Sequence, residues 1–209
     1  MITPPEINDF YRSKLSEHGA SAPGVGWRDK ESQQVRFQQL VKVIPPDTNF
    51  SINDLGCGTG DLITLLESGF KGRYSYTGYD ALEEMIDAAK HQFQESPSIK
   101  FLKISDYSQM NAGDYSVASG IFNVRNNIKD SEWETYILAT LLAMSRTSRK
   151  GFAFNALTKY SDPDHMRPDL FYSDPLFLFN YCKMNFSKNV ALLHDYGIYD
   201  FTILVKKDH

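Results

Sequence analysis

Between residues 50 and 66 the chain reads FSINDLGCGTGDLITLL: an apolar run ending in an acid, three glycines at alternate positions, then leucines at helical spacing. Gly56, Gly58 and Gly60 accept positive φ and carry no side chain, so a strand can turn sharply into a helix while a ligand rests directly on the main chain. Strand, glycine corner and helix in that order open a βαβ unit, in which ligands sit beyond the carboxyl ends of the strands. The fold must therefore be built around a parallel sheet.

The rest of the sequence continues that alternation. Runs at 74–79, 99–104, 115–120 and 151–157 read as further strands. Leu62, Leu65 and Leu66 mark a short helix, and Leu82, Met85, Ile86, Ala89 and Phe93 form a helical stripe. Ser131-x-x-Glu134 has the spacing of a capping box, opening a helix with Trp133, Ile137, Leu141 and Met144 inward. Ahead of the core, Ile7, Phe10, Tyr11 and Leu15 have helical spacing, residues 19–26 form a glycine-rich loop, and a second helix with Phe37, Leu40, Val41 and Ile44 stops at Pro45-Pro46. Asp174-Pro175 reads as a cap and first helical residue. The last two runs, 189–194 and 200–205, are too close for a crossover and predict an antiparallel hairpin. The expectation is an α/β fold: a doubly wound, seven-stranded, mostly parallel sheet with a C-terminal antiparallel hairpin and helices on both faces. A single domain is expected, with a helical cap or lid at 1–46, a cofactor-binding core at 47–156, a substrate-capping insertion at 157–186 and the hairpin at 187–209.

Composition narrows the functional classes. No run of about 18 apolar residues occurs, so no membrane span is expected. Residues 1–6 show neither a basic start nor an apolar stretch of the secretory kind, which predicts a cytoplasmic protein. A net charge of -4 disfavours broad DNA or RNA binding. Cys57 and Cys182 sit in no metal-ligand spacing, and no metal is expected.

Two ligand classes compete for the glycine corner. A dinucleotide site calls for G-x-G-x-x-G with the pyrophosphate at the helix start. Here the spacing is G-x-G-x-G, and the third glycine's place is taken by Asp61. A carboxylate there repels a pyrophosphate but tolerates a ligand bearing sulfonium and ammonium groups.

The segment DLGCGTGD closely resembles the first motif of the class I S-adenosylmethionine-dependent methyltransferases, and the likeness extends over residues 49–206. The resemblance implies S-adenosylmethionine as cofactor and S-adenosylhomocysteine as product. It also implies a cofactor cradle of Gly56, Cys57 and Gly58, with Asp54 either organising that loop or touching the ligand. In YTGYDALEEMIDAAK, Asp80 would accept hydrogen bonds from both ribose hydroxyls, with Ala81 and Met85 near the adenosine; the alternative for Asp80 is a plain helix cap. In ISDYS, Asp106 would meet the adenine amino group and Tyr107 the ring, or the pair is ordinary turn chemistry. In SVASGIFNV, Ser119 and Gly120 would lie beside the methionine portion. From the cap, Trp27 and Arg36 would fold over the cofactor, Arg36 pairing with its carboxylate, unless it belongs to a solvated face.

The acceptor is less legible. Phe171, Tyr172, Phe177, Phe179 and Tyr181 in the insertion either line a pocket or pack as core, His165 lies in a site-side loop, and Arg125 and Arg167 are candidates to hold an acidic group. After the fourth strand the chain reads SGIFNVR where DNA and protein amide methylases carry an Asn/Asp-Pro-Pro-aromatic sequence, which disfavours methylation of an exocyclic DNA amine. A small-molecule acceptor is the first expectation, and no catalytic base stands out. A nicotinamide-dependent oxidoreductase and a non-catalytic cofactor-binding protein acting through a partner are the alternatives.

Overall fold

The computed structural model describes residues 3–207, so residues 1 and 2 of the expected cap and 208 and 209 of the expected hairpin lie outside the described residues. Seven strands form one sheet: β1 (Phe50–Leu55), β2 (Tyr74–Asp80), β3 (Ile99–Lys103), β4 (Gly113–Ala118), β5 (Ser148–Leu157), β6 (Asn189–Leu193) and β7 (Asp200–Lys206). Their order is β3-β2-β1-β4-β5-β7-β6. The first five pair in parallel, and β7 runs antiparallel between β5 and β6. Sequence order reverses at β1, which pairs with β2 on one side and β4 on the other. In doubly wound sheets the crevice opens there, beyond the carboxyl ends of the strands.

The described residues form six α-helices: α1 (Pro5–His18), α2 (Lys30–Leu40), α3 (Leu62–Phe70), α4 (Glu83–Gln92), α5 (Asp130–Thr147) and α6 (Pro175–Asn185). On one face Trp133, Ile137 and Leu141 of α5 and Leu178 and Cys182 of α6 pack on Phe152, Phe154 and Ile203. On the other, Phe37 and Leu40 of α2, Leu62 and Leu66 of α3 and Ile86 of α4 pack on Phe50, Ile52 and Tyr76. β1 sends Phe50 and Ile52 to one face and Leu55 to the other, and every residue of it but Ser51 is buried, as expected of a strand covered on both faces.

Local chemistry sets the helix ends. Asp29 caps α2 by accepting from the Ser32 N–H at 2.7 Å, and Asp174 caps α6 through Leu176 N and Phe177 N. The expected capping box at Ser131 does not form. Lys129 is the N-cap residue of α5 with no side-chain bond, and Ser131 already lies inside the helix, whose first-turn acids Asp130 and Glu132 suit the positive end of the dipole. The glycine-rich loop contains a short turn, Pro23–Val25, closed by Gly26 at φ 86°.

Phe154 on β5 is fully buried and meets Phe122 edge-on at 5.7 Å. Replacing it with alanine should cost about 3–5 kcal/mol of stability in urea denaturation. A loss under about 1 kcal/mol would show that this part of the core is not packed as described.

Candidate active site

The corner after β1 is stitched to the end of β2. Gly56 N and Cys57 N both donate to Tyr79 O, at 2.8 and 3.0 Å, and Gly58 N donates to Asp80 Oδ2 at 3.0 Å. Asp80 Oδ1 accepts from Leu82 N at 3.0 Å, which also fixes the entry to α4. With the N–H of Ala81 as a third donor, the carboxylate still has acceptor capacity for a further group. Gly56 has φ 70°, and a Cβ there would sit 2.2 Å from Ile121, so both conformation and space demand glycine.

The crevice above this corner carries negative charge in its walls. Asp54 and Asp80 line it, and no lysine or arginine does among the described residues. Burial pushes the Asp54 carboxyl up to about 7, against a hydrogen bond from the Tyr76 hydroxyl at 2.8 Å and with help from the charge of Asp80. Asp80 is raised by burial in spite of the N–H groups of Leu82, Gly58 and Ala81. Cys57 also borders the crevice, its thiol raised well above the usual range by burial and then by Asp80 and Asp54, so it is no nucleophile. A cationic ligand would favour the ionised form of both acids against the burial that raises them.

Asp61, by contrast, does not border the crevice. Its carboxylate accepts from Thr59 Oγ1 at 2.8 Å, Gln92 Nε2 at 3.3 Å and Gln33 Nε2 at 3.4 Å, tying the corner to α2 and α4. The electrostatic case against a pyrophosphate therefore rests on Asp54 and Asp80.

The amino-terminal segment roofs the crevice. Thr3, Asn8 and Tyr11 border it from α1 and its approach, and Val25 and Trp27 from the loop beyond. Thr3, Tyr107 and Tyr136 form a buried chain of hydroxyls, with 2.6 Å between neighbours. A Cβ on Gly120 would lie 2.5 Å from the Trp27 ring, and one on Gly58 would lie 2.9 Å from Val25, so the roof sits directly on two glycines.

A second chamber of about 550 Å³ adjoins the crevice and shares Tyr11, Val25, Trp27 and Ser119 with it. Arg36 borders this chamber, not the crevice, and its guanidinium pairs with Asp200 at the start of β7. Arg36 also donates to Ser32 O at 2.8 Å and lies 4.3 Å under the Trp27 ring.

Of the residues expected from sequence, the fold brings Trp27, Asp54, Gly56, Cys57, Gly58, Asp80, Ala81, Met85, Tyr107 and Ser119 to the crevice. Gly120 and Arg36 fall to the adjoining chamber. Asp106 borders neither; its side chain accepts from Ser108 N at 2.8 Å and caps a short turn. The insertion contributes Arg167 and Leu170 to the chamber. Its aromatics do not line either cavity: Phe171, Phe179 and Tyr181 pack against the core, and Phe177 is exposed. His165 is exposed, its ring tilted against that of Tyr199 with centroids 5.8 Å apart, while Arg125 pairs with Asp130 at 3.1 Å. Asp200, Tyr136 and Thr3 gave no local signal, because each reaches the site only through contacts distant in sequence.

Residues 52–143 match the family model described as a methyltransferase domain. A Mycobacterium tuberculosis chain named as a methyltransferase, Rv1506c, is 49% identical over 168 residues, covering 80% of this chain and 99% of that one. The chain belongs to the class I S-adenosylmethionine-dependent methyltransferases. S-adenosylmethionine is the cofactor of this family, and a sulfonium with an ammonium group suits the acid-lined crevice. Among solved structures, the DhpI-SAM-HEP complex aligns with a TM-score of 0.65 at 14% identity, covering 97% of each chain. Magnesium protoporphyrin IX methyltransferase from Synechocystis PCC 6803 with bound SAM aligns at 0.59 and 15% identity, covering 96% of this chain and 85% of that one. Both likenesses establish the seven-stranded methyltransferase fold. No helix among the described residues is long and apolar enough to cross a membrane.

The raised Asp54 carboxyl makes stability depend on pH. Folded, it holds its proton to about pH 7; unfolded, it loses it near the ordinary value of about 3.9. Between those limits the folded state binds more protons, so stability should fall as pH rises, by up to about 4 kcal/mol. Urea denaturation of the cofactor-free protein at several pH values checks this, and Asp54→Asn should flatten most of the slope. Stability that rises across that window would contradict the assignment.

Proposed function

We propose that the protein transfers a methyl group from S-adenosylmethionine to a small-molecule acceptor by in-line displacement. The observation that carries this reading is the chamber of about 550 Å³ sharing Trp27 and Ser119 with the crevice, a volume in the ordinary range for small-molecule sites. S-adenosylmethionine supplies, when bound, a methyl group already made electrophilic by the sulfonium. The protein's part is to align and dehydrate.

In this reading the remaining acceptor capacity of Asp80 serves the ribose hydroxyls, while Gly56, Cys57 and Gly58 carry the cofactor against their backbone. Ala81 and Met85 pack beside the adenosine, with Tyr107 near the base. Asp106, the residue before Tyr107, meets the adenine amino group in this reading while also capping the short turn that follows it. Asp54 offsets the cationic end through the corner, and Ser119 with Gly120 borders the methyl-bearing end. Trp27 closes the roof and keeps water out. Arg36 belongs to the acceptor side, because Asp200 already occupies its guanidinium.

Two measurements test this. Asp80→Ala should weaken S-adenosylmethionine binding about 10- to 100-fold in calorimetric titration, with the far-ultraviolet dichroism of the native chain retained. Affinity unchanged in that variant would remove the ribose assignment. Incubating the native chain with methyl-labelled S-adenosylmethionine and a host extract should place label in the low-mass fraction, and label confined to macromolecules would overturn the small-molecule reading.

A further inference from the structure

We infer that the chamber beside the crevice receives an uncharged aromatic acceptor bearing a hydroxyl or N–H group, and that Asp200 with Arg36 reads that group. The inference rests on the assignment of the chamber to the acceptor. Its walls include the aromatic and aliphatic Phe10, Tyr11, Trp27, Tyr199 and Leu170 alongside polar residues such as Asn123. Flat apolar ligands suit such walls.

The chamber's cations are already spoken for. Arg28, Arg36 and Arg167 all border it. Arg28 pairs with Asp29 at 2.6 Å, Arg36 with Asp200, and Arg167 with Asp169. Only the Arg36–Asp200 pair is buried; there an anionic acceptor would meet a guanidinium already matched and the carboxylate of Asp200, so that end of the chamber disfavours a negative ligand.

The buried pair is incompletely satisfied. The Arg36 and Asp200 side chains are 9% and 0% exposed, and Arg36 Nε and Asp200 Oδ1 have no hydrogen-bond partner and are shielded from solvent. An orphaned donor and acceptor in a dry interior cost free energy that a ligand with matching groups recovers. A hydroxyl supplies both, donating to Oδ1 and accepting from Nε; an N–H group donates to Oδ1. A carboxylate has no hydrogen to give and would face Oδ1 charge to charge. Trp27 lies over the guanidinium and borders both cavities, and Arg36 and Asp200 themselves border the chamber, so a flat ligand stacked beside the indole lies next to the pair.

The test uses the full chain saturated with S-adenosylhomocysteine, whose binding is established first by calorimetry. Failure of that step would count against the crevice assignment and not against the chamber's chemistry. The loaded protein is then titrated with 2-naphthol, 2-naphthoate and 2-methoxynaphthalene, following heat and tryptophan fluorescence. The native chain should bind 2-naphthol about tenfold more tightly than either of the others. In Asp200→Asn, Arg36 loses its counter-charge and 2-naphthoate should overtake 2-naphthol. In the double variant Arg36→Gln with Asp200→Asn, which replaces the buried pair by neutral groups, the discrimination should vanish. Equal or tighter binding of 2-naphthoate or 2-methoxynaphthalene to the native chain would overturn the inference, as would binding of none of the three. The native series decides the question even if a variant does not fold.

Discussion

Asp80 is the hinge of the whole arrangement. Its two oxygens hold Gly58 N at 3.0 Å and Leu82 N at 3.0 Å, so one side chain joins the glycine corner to the start of α4. With Tyr79 O accepting from Gly56 and Cys57, the ends of β1 and β2 are locked in register where the sheet reverses order. A carboxylate that organises backbone donors in this way is also preorganised as an acceptor, since its orientation is fixed before any ligand arrives. Loop architecture and ligand recognition therefore depend on the same atoms.

The electrostatics follow from burial. Asp54 and Asp80 share a cleft bordered by no arginine or lysine among the described residues, and both carboxyls are raised. Such a cleft is poorly matched to pyrophosphate and well matched to a cation. That complementarity is the physical content behind the family assignment, which the 49% identical Mycobacterium tuberculosis chain establishes independently.

Much of this was legible in the sequence where structure is local. FSINDL is β1 residue for residue, Met85, Ile86 and Ala89 of the predicted stripe lie on α4 with Leu82 and Phe93 flanking it, and Asp174-Pro175 opens α6. The short link before 200–205 correctly implied antiparallel pairing, although β7 inserts between β5 and β6. What local pattern could not supply was contact across the fold. Arg36 and Asp200 lie 164 residues apart, and the hydroxyl of Thr3 meets that of Tyr107 across 104. Asp61 was read as facing a ligand because of its place in the motif, but three neighbours from the corner, α2 and α4 turn it away. The Ser131-x-x-Glu134 spacing misled because the helix had already started at Asp130.

The roof completes the site from the opposite end of the chain. Val25 and Trp27 rest on Gly58 and Gly120, so the roof is fitted closely to the glycines beneath it. A crystal structure of the full chain with S-adenosylhomocysteine tests the central claim most directly. The account predicts both ribose hydroxyls within hydrogen-bond distance of Asp80 and the nucleoside lying along the backbone of Gly56 to Gly58. A nucleoside bound elsewhere, or a ribose out of reach of that carboxylate, would contradict it.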